Sequence, residues 1–204
     1  MEEKSTYLTV SGRSEGMYRE KGSKFIGIAV PCSTAGQAKK LLSDIRKEHL
    51  QAGHLCYAYR FGLKGDIYRA NDDGEPSNSA GAPILGQLQS FEVSNVLIGV
   101  VRYYGGTNLG VGGLIGAYRT AAKEALITAK IIEHEVYEWV EVSFEYVDMP
   151  FVMNLLKKYR LEMRENIFEL SCTLKTNLRL SLANGIKADL KSLESVEVET
   201  IGIY

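Results

Sequence analysis

A chain of 204 residues with 45% hydrophobic and 24% charged content has room for one large or two small domains, each with a core of its own. A formal net charge of −1 argues against coating nucleic acid through bulk positive charge, and the three dispersed cysteines and three scattered histidines form neither a CxxC pair nor a metal-ligand spacing. The leading residues MEEKSTYLTV lack a basic stretch running into an apolar one, and no run reaches the roughly 18 apolar residues of a membrane helix, so a cytoplasmic protein with reduced thiols is expected.

Lys24 to Pro31 (KFIGIAVP) is apolar and β-branched and predicts a strand. Residues 34 to 48 then place Ala38, Leu41, Leu42 and Ile45 on one helical face, with Ser33 as the expected N-cap. His54 to Phe61 alternates, Gly62 to Gly65 turns and Asp66 to Ala70 returns, which is a hairpin signal. Asn71 to Leu85 (NDDGEPSNSAGAPIL) follows, acidic and broken by glycine and proline. Asn95 to Tyr104 is nearly continuous in apolar residues and predicts a central strand covered on both faces. Gly105 to Gly113 reads as a loop, and Leu114, Ala117, Tyr118, Ala121, Ala122, Ala125 and Leu126 recur at helical spacing, so a helix is expected from about Gly112 to Lys130.

The pattern changes after Glu135. Val136 to Phe144 alternates, Met149 to Tyr159 has one apolar helical face, Leu161 to Phe168 and Ser171 to Leu182 read as two strands, Ala183 to Leu193 as a helix and Val196 to Ile203 as a strand. This βαββαβ order is the split-βαβ, ferredoxin-like arrangement. The expected fold class is α+β in two domains, 1–135 and 136–204. The first holds 16 Lys and Arg against 14 Asp and Glu, net +2; the second holds 8 against 11, net −3; together they give the −1 of the whole chain. Any nucleic-acid contact belongs to the first.

The chemistry-bearing residues gather in two segments. Gly105, Gly106, Thr107, Asn108, Gly110, Gly112 and Gly113 lie between a buried strand and a helix N-terminus, a geometry that presents free N–H groups to an anion. The loop is neither a Walker A motif nor GxGxxG, and close packing and tight turns also explain glycine there. Arg102 ends an apolar strand, and a cation there is costly unless paired, so an ion pair with Asp72, Asp73 or Glu75 is expected. Those carboxylates fit ordinary turn chemistry better than a magnesium site. His54 stands at a strand start near these loops, Tyr103 and Tyr104 follow Arg102, and Arg119 lies in the following helix. Ser77, Asn78 and Ser79 have no neighbouring base to activate a nucleophile.

DDGEPSNSAGAPIL followed by VVRYYGGTNLGVGGLIGAY, with KFIG upstream and HLCYAYR between, resembles the bacterial YigZ branch of the IMPACT family. The resemblance covers most of the chain. It implies a first domain like the second domain of ribosomal protein S5 and a ferredoxin-like second domain similar to the C-terminal domains of elongation factor G. Eukaryotic relatives are translational regulators that bind an activator of an initiation-factor kinase. No catalytic activity is securely attached to the family. Its matched positions here are Asp72, Asp73, Gly74, Glu75, Pro76, Ala80 and Gly81, then Arg102, Tyr103, Gly105, Gly106, Thr107, Leu109, Gly110, Gly112 and Gly113. The chain departs from the family pattern with Asn78-Ser79 for Gly-Thr, Asn108 for lysine and Gly116 for arginine. Two missing cations would flatten the salt slope of nucleic-acid binding by up to roughly two units.

The expectation is therefore a non-enzymatic, cytoplasmic binding protein of translation, without catalytic residues or cofactor, contacting RNA, ribosomal components or a translation-associated protein through both segments. One alternative is a small-molecule enzyme holding nucleotide on Gly105 to Gly113, with magnesium on Asp72, Asp73 or Glu75. Another is a protein–protein adaptor docking through the acidic second domain.

Overall fold

The computed structural model describes residues 5 to 203 and is mixed α and β. They form two compact units: Tyr7–His134, and Glu135 onward together with the first described residues up to Thr6. Among the described residues, no helix is long and apolar enough to cross a membrane.

The larger unit is a five-stranded sheet in the order β2(Ser14–Glu20), β3(Ser23–Pro31), β6(Val96–Tyr103), β4(His54–Phe61), β5(Ile67–Asn71). Every pairing in it is antiparallel. The apolar run in β6 is explained by its central place: Val96 to Val101 are buried on both faces. Alternate residues divide the core. Phe25, Cys56, Ala58, Ile98 and Val100 face α2(Gly81–Ser90) and α3(Gly110–Thr128), while Ile28, Leu55, Phe61, Leu97 and Val101 face α1(Ala35–Glu48). In β3, Gly27 has a structural duty: a Cβ there would run into the carbonyl of Ala121, so glycine lets α3 lie close on the sheet. A short ladder joins β1(Thr6–Val10) to β7(Ile131–Glu135).

The other unit runs β8(Tyr137–Glu145), a 3-10 turn, α4(Met149–Tyr159), β9(Arg164–Phe168), β10(Ser171–Arg179), α5(Leu180–Leu190) and β11(Glu197–Ile203). Its sheet order is β11-β8-β10-β9, antiparallel throughout. Val140, Val142, Leu174 and Leu178 on the two central strands pack with Val152 and Leu156 of α4 and Ile186 and Leu190 of α5.

Two expectations shift, and four elements stand outside them. The first helix is capped by Thr34, whose side chain accepts from the Gln37 amide at 3.2 Å, while Ser33 bonds the Gln37 side chain instead. Gly81–Ser90 is a helix in a stretch for which the sequence predicts no element; Pro83 sits in its first turn, where a missing N–H costs no helical bond. Strands β1, β2 and β7 carry too few consecutive apolar residues to stand out. Strand β10 stops at Arg179, so Leu180 and Leu182 belong to α5, and Leu182 is exposed.

Candidate functional site

The acidic turn leaves β5 and folds back under the ends of β4 and β6. Asp72 acts as a cap made by its side chain: Oδ1 accepts from the amides of Ala80 and Gly81 at 3.0 and 2.8 Å, and Oδ2 from Asn78 at 2.9 Å. Ala80 has no capping side chain of its own, so Asp72 supplies from eight residues upstream what the start of α2 lacks. Asp73 adopts a left-handed backbone, with φ of 42°, and its carboxylate takes the Leu55 amide at 2.6 Å and Arg46 of α1 at 2.5 Å.

Glu75 goes inward. Its Oε1 accepts from Arg102 Nη1 and from the Tyr118 hydroxyl, both at 2.7 Å, and all three side chains are buried. The Arg102 guanidinium also lies 5.5 Å from the ring centres of Phe25 and Tyr104, a cation–π sandwich. Its Nε is buried without a hydrogen-bond partner, as is Ser79 Oγ. His54, the register partner of Arg102 on the neighbouring strand, donates from Nδ1 to the Asp73 carbonyl at 2.7 Å and holds Nε2 3.9 Å from Glu75 Oε1. Cys56 closes the cluster from below, donating to the Asp72 carbonyl at 3.0 Å.

Burial dominates the titration of two side chains here, Cys56 and Tyr118. It pushes the Cys56 thiol up to about 12 and the Tyr118 phenol well above its ordinary value, with the negative charge of Glu75 reinforcing both. Both groups stay protonated near neutrality, which suits Tyr118 as donor to Glu75 and makes Cys56 inert as a nucleophile.

The glycine segment is built in the opposite way. Tyr104 to Asn108 are exposed, and Leu109 begins α3 with no side-chain cap and no acidic residue in the first turn. Four backbone N–H groups at that end therefore lack an intrahelical partner. The glycines here do different jobs. A side chain at Gly105 would collide with the backbone of Gly22, and the Gly105 amide donates to Ser23 Oγ at 3.1 Å, so this glycine anchors the loop to the β2–β3 turn. Gly106 and Gly110 have positive φ. Gly112 and Gly116 have neither excuse: their φ is ordinary and nothing lies within 4 Å of where a Cβ would be. They stand one turn apart on the first turns of α3, where glycine costs roughly 1 kcal/mol relative to alanine.

The sequence-derived candidates thus fall into three groups. Arg102, Glu75, His54 and the backbone of Asp73 meet in the buried cluster. Gly105, Gly106, Thr107, Asn108, Gly110, Gly112 and Gly113 form the exposed loop and helix end, where Asn108 accepts from the Tyr104 hydroxyl at 3.3 Å. Tyr103 belongs to neither. It points to the α1 face of the sheet, where its hydroxyl is hydrogen-bonded to His49 Nδ1 at 2.8 Å and Lys24 lies over its ring. Arg119 is exposed on α3 and makes no ion pair among the described residues.

Two readings change with this geometry. Arg102 is only 6% exposed and already neutralised, so it braces the turn and is not a free cation for a ligand. The three carboxylates of the turn serve three separate sets of partners, and among the described residues no group of His, Cys, Asp or Glu is arranged to hold a metal ion. Magnesium on Asp72, Asp73 or Glu75, the enzyme alternative, would have to compete with the protein partners that each carboxylate already has. Tyr118, Cys56 and Arg46 went unnoticed as partners because each reads as a regular member of its own helix or strand. The only signal for Tyr118 was a hydroxyl on an otherwise alanine- and leucine-rich helical face.

A domain model described as the Impact N-terminal domain matches residues 21–126. The IMPACT family member YvyE of Bacillus subtilis is 34% identical over 160 residues, which cover 78% of this chain and 74% of that one. The IMPACT family member YigZ of Escherichia coli is 40% identical over 108 residues, 52% of this chain and 53% of that one. A crystal structure described as that of a hypothetical protein superposes with a TM-score of 0.77 at 27% identity, covering 97% of this chain and 98% of its own.

Proposed function

The chain belongs to the IMPACT family, and on that premise we propose that it is a non-enzymatic binding protein of translation that docks a partner on the exposed loop Gly105 to Gly113 and the first two turns of α3. The partner is RNA, a ribosomal component or a translation-associated protein. In this reading the larger unit is an S5 domain 2-like fold and the smaller a ferredoxin-like fold related to the C-terminal domains of elongation factor G, whose βαββαβ order and 4-1-3-2 sheet order support it.

One observation carries the proposal. Gly112 and Gly116 are glycines that the fold does not need, beside a helix end whose amides are unclaimed. A bare helical face lets a partner's backbone or phosphate approach more closely than any side chain would allow. The acidic turn supports this surface from below: Glu75 fixes Arg102 at the end of β6 and Tyr118 on α3, the two elements that the loop connects.

Cosedimentation with ribosomes and filter binding with RNA test the proposal. Thr107→Glu and Asn108→Glu place negative charge at the amide end and are expected to abolish the interaction while leaving the melting temperature unchanged. Binding that survives both substitutions would remove this surface from consideration, and pull-down through the acidic smaller unit would then be the reading to pursue.

A further inference from the structure

On the opposite face of the larger sheet from α3, a cleft of about 290 Å³ opens between the first half of α1 and strands β4 and β5. That is near the lower end, about 300 Å³, of small-molecule sites. One wall is aromatic. Tyr57, Tyr59 and Phe61 alternate along β4 and stack in a row, with ring centres 6.4 and 4.2 Å apart and planes within 18° and 3°. The opposite wall is small and apolar, from Ala35 and Leu42 of α1. Two cations complete the lining: Lys39 of α1, and Arg69, the register partner of Tyr59 on β5. Among the described residues, no carboxylate lines the cleft and neither cation has a hydrogen-bond or ion-pair partner.

We propose that this cleft binds a nucleotide, with the base against the Tyr57–Tyr59 wall and the phosphate between Lys39 and Arg69. A cation that only solvates the surface needs no second cation across a gap, and tyrosines that only pack need no open wall. Together they set an aromatic wall for a π-system beside two positive charges for an anion. That pairing of stacking platform and cation is how proteins hold single nucleotide units without reading their sequence. The shared chemistry, base plus phosphate, belongs equally to a free mononucleotide and to one unit of a single-stranded RNA.

The site is independent of the α3 surface, so either can fail alone. The test is equilibrium dialysis of the full chain with AMP, adenosine, ribose 5-phosphate and a single-stranded oligoadenylate. AMP is expected to bind about tenfold or more tightly than adenosine or ribose 5-phosphate, because each lacks one of the two recognised features. Lys39→Glu with Arg69→Glu, both at exposed positions, should weaken AMP binding by about tenfold or more at unchanged melting temperature, and lower the salt slope for the oligonucleotide by roughly 0.7 for each lost phosphate contact. Tyr57→Leu should remove the advantage of AMP over ribose 5-phosphate while leaving the latter's binding intact. Preference for AMP over the oligonucleotide, or the reverse, would assign the natural ligand to one of the two sources. Absence of nucleotide binding by the unaltered chain, binding unchanged in the double variant, or AMP bound no better than ribose 5-phosphate would each overturn the proposal.

Discussion

The two segments at the heart of this molecule solve opposite problems with similar raw material. Asn71 to Ala80 is rich in charge and engages it within the protein: every carboxylate is bonded to a backbone amide, a guanidinium or a phenol, and Glu75 is buried. Gly105 to Gly113 has no charge and hides nothing, leaving an uncapped helix end in solvent. The charged motif is thus a brace, and the uncharged one is the surface proposed for contact. Charge alone does not mark a contact surface, because a buried ion pair spends its charge inside the protein.

The sharpest way to break the comparison is Arg102→Ala. It leaves Glu75 charged and buried without its cation, and a loss of about 3–5 kcal/mol is expected in urea unfolding. Cys56, inert in the intact cluster, should then react with a thiol reagent under native conditions. Full stability with an unreactive Cys56 would show that the cluster holds little together. Next comes Asp72→Ala, which takes the acceptor from three amides at the start of α2 and should cost about 1–2 kcal/mol.

An alkaline titration probes the same region. The folded Cys56 thiol is raised to about 12 by burial, whereas in the unfolded chain it ionises near the ordinary value of about 8.5. The unfolded state therefore binds fewer protons between those values. Stability is fully present below about pH 8.5 and falls as pH rises toward the folded value. Cys56→Ala should flatten that alkaline limb in urea melts, and an unchanged limb would assign it to other groups. Smallest in energy is Gly112→Ala, which should stabilise the fold by up to about 1 kcal/mol while weakening partner binding, a trade expected only where a glycine serves contact rather than folding.

Much of this was legible in the sequence. The βαββαβ order after Glu135 came from hydrophobic period alone, and the need for an acidic partner to Arg102 followed from placing a cation on an apolar strand. Which carboxylate would answer did not follow, since Asp72, Asp73 and Glu75 lie within four residues and only the left-handed turn at Asp73 and Gly74 decides where each one points. Tyr103 and Arg102 are adjacent in sequence, yet adjacency in a strand means opposite faces. The helix at Gly81–Ser90 was masked by glycine and proline, because its start is stabilised by a side chain from outside its own first turn. The distinction between glycines that pack and glycines that clear a surface exists only in three dimensions.

The central claim is that the exposed loop and helix end, and not the charged turn, meet the partner. Ribosome cosedimentation of Asn108→Glu beside Gly112→Ala tests it most directly, with thermal melts of both variants. The account predicts that both bind less, Asn108→Glu at unchanged stability and Gly112→Ala at equal or greater stability. Undiminished cosedimentation of the two folded variants would contradict it.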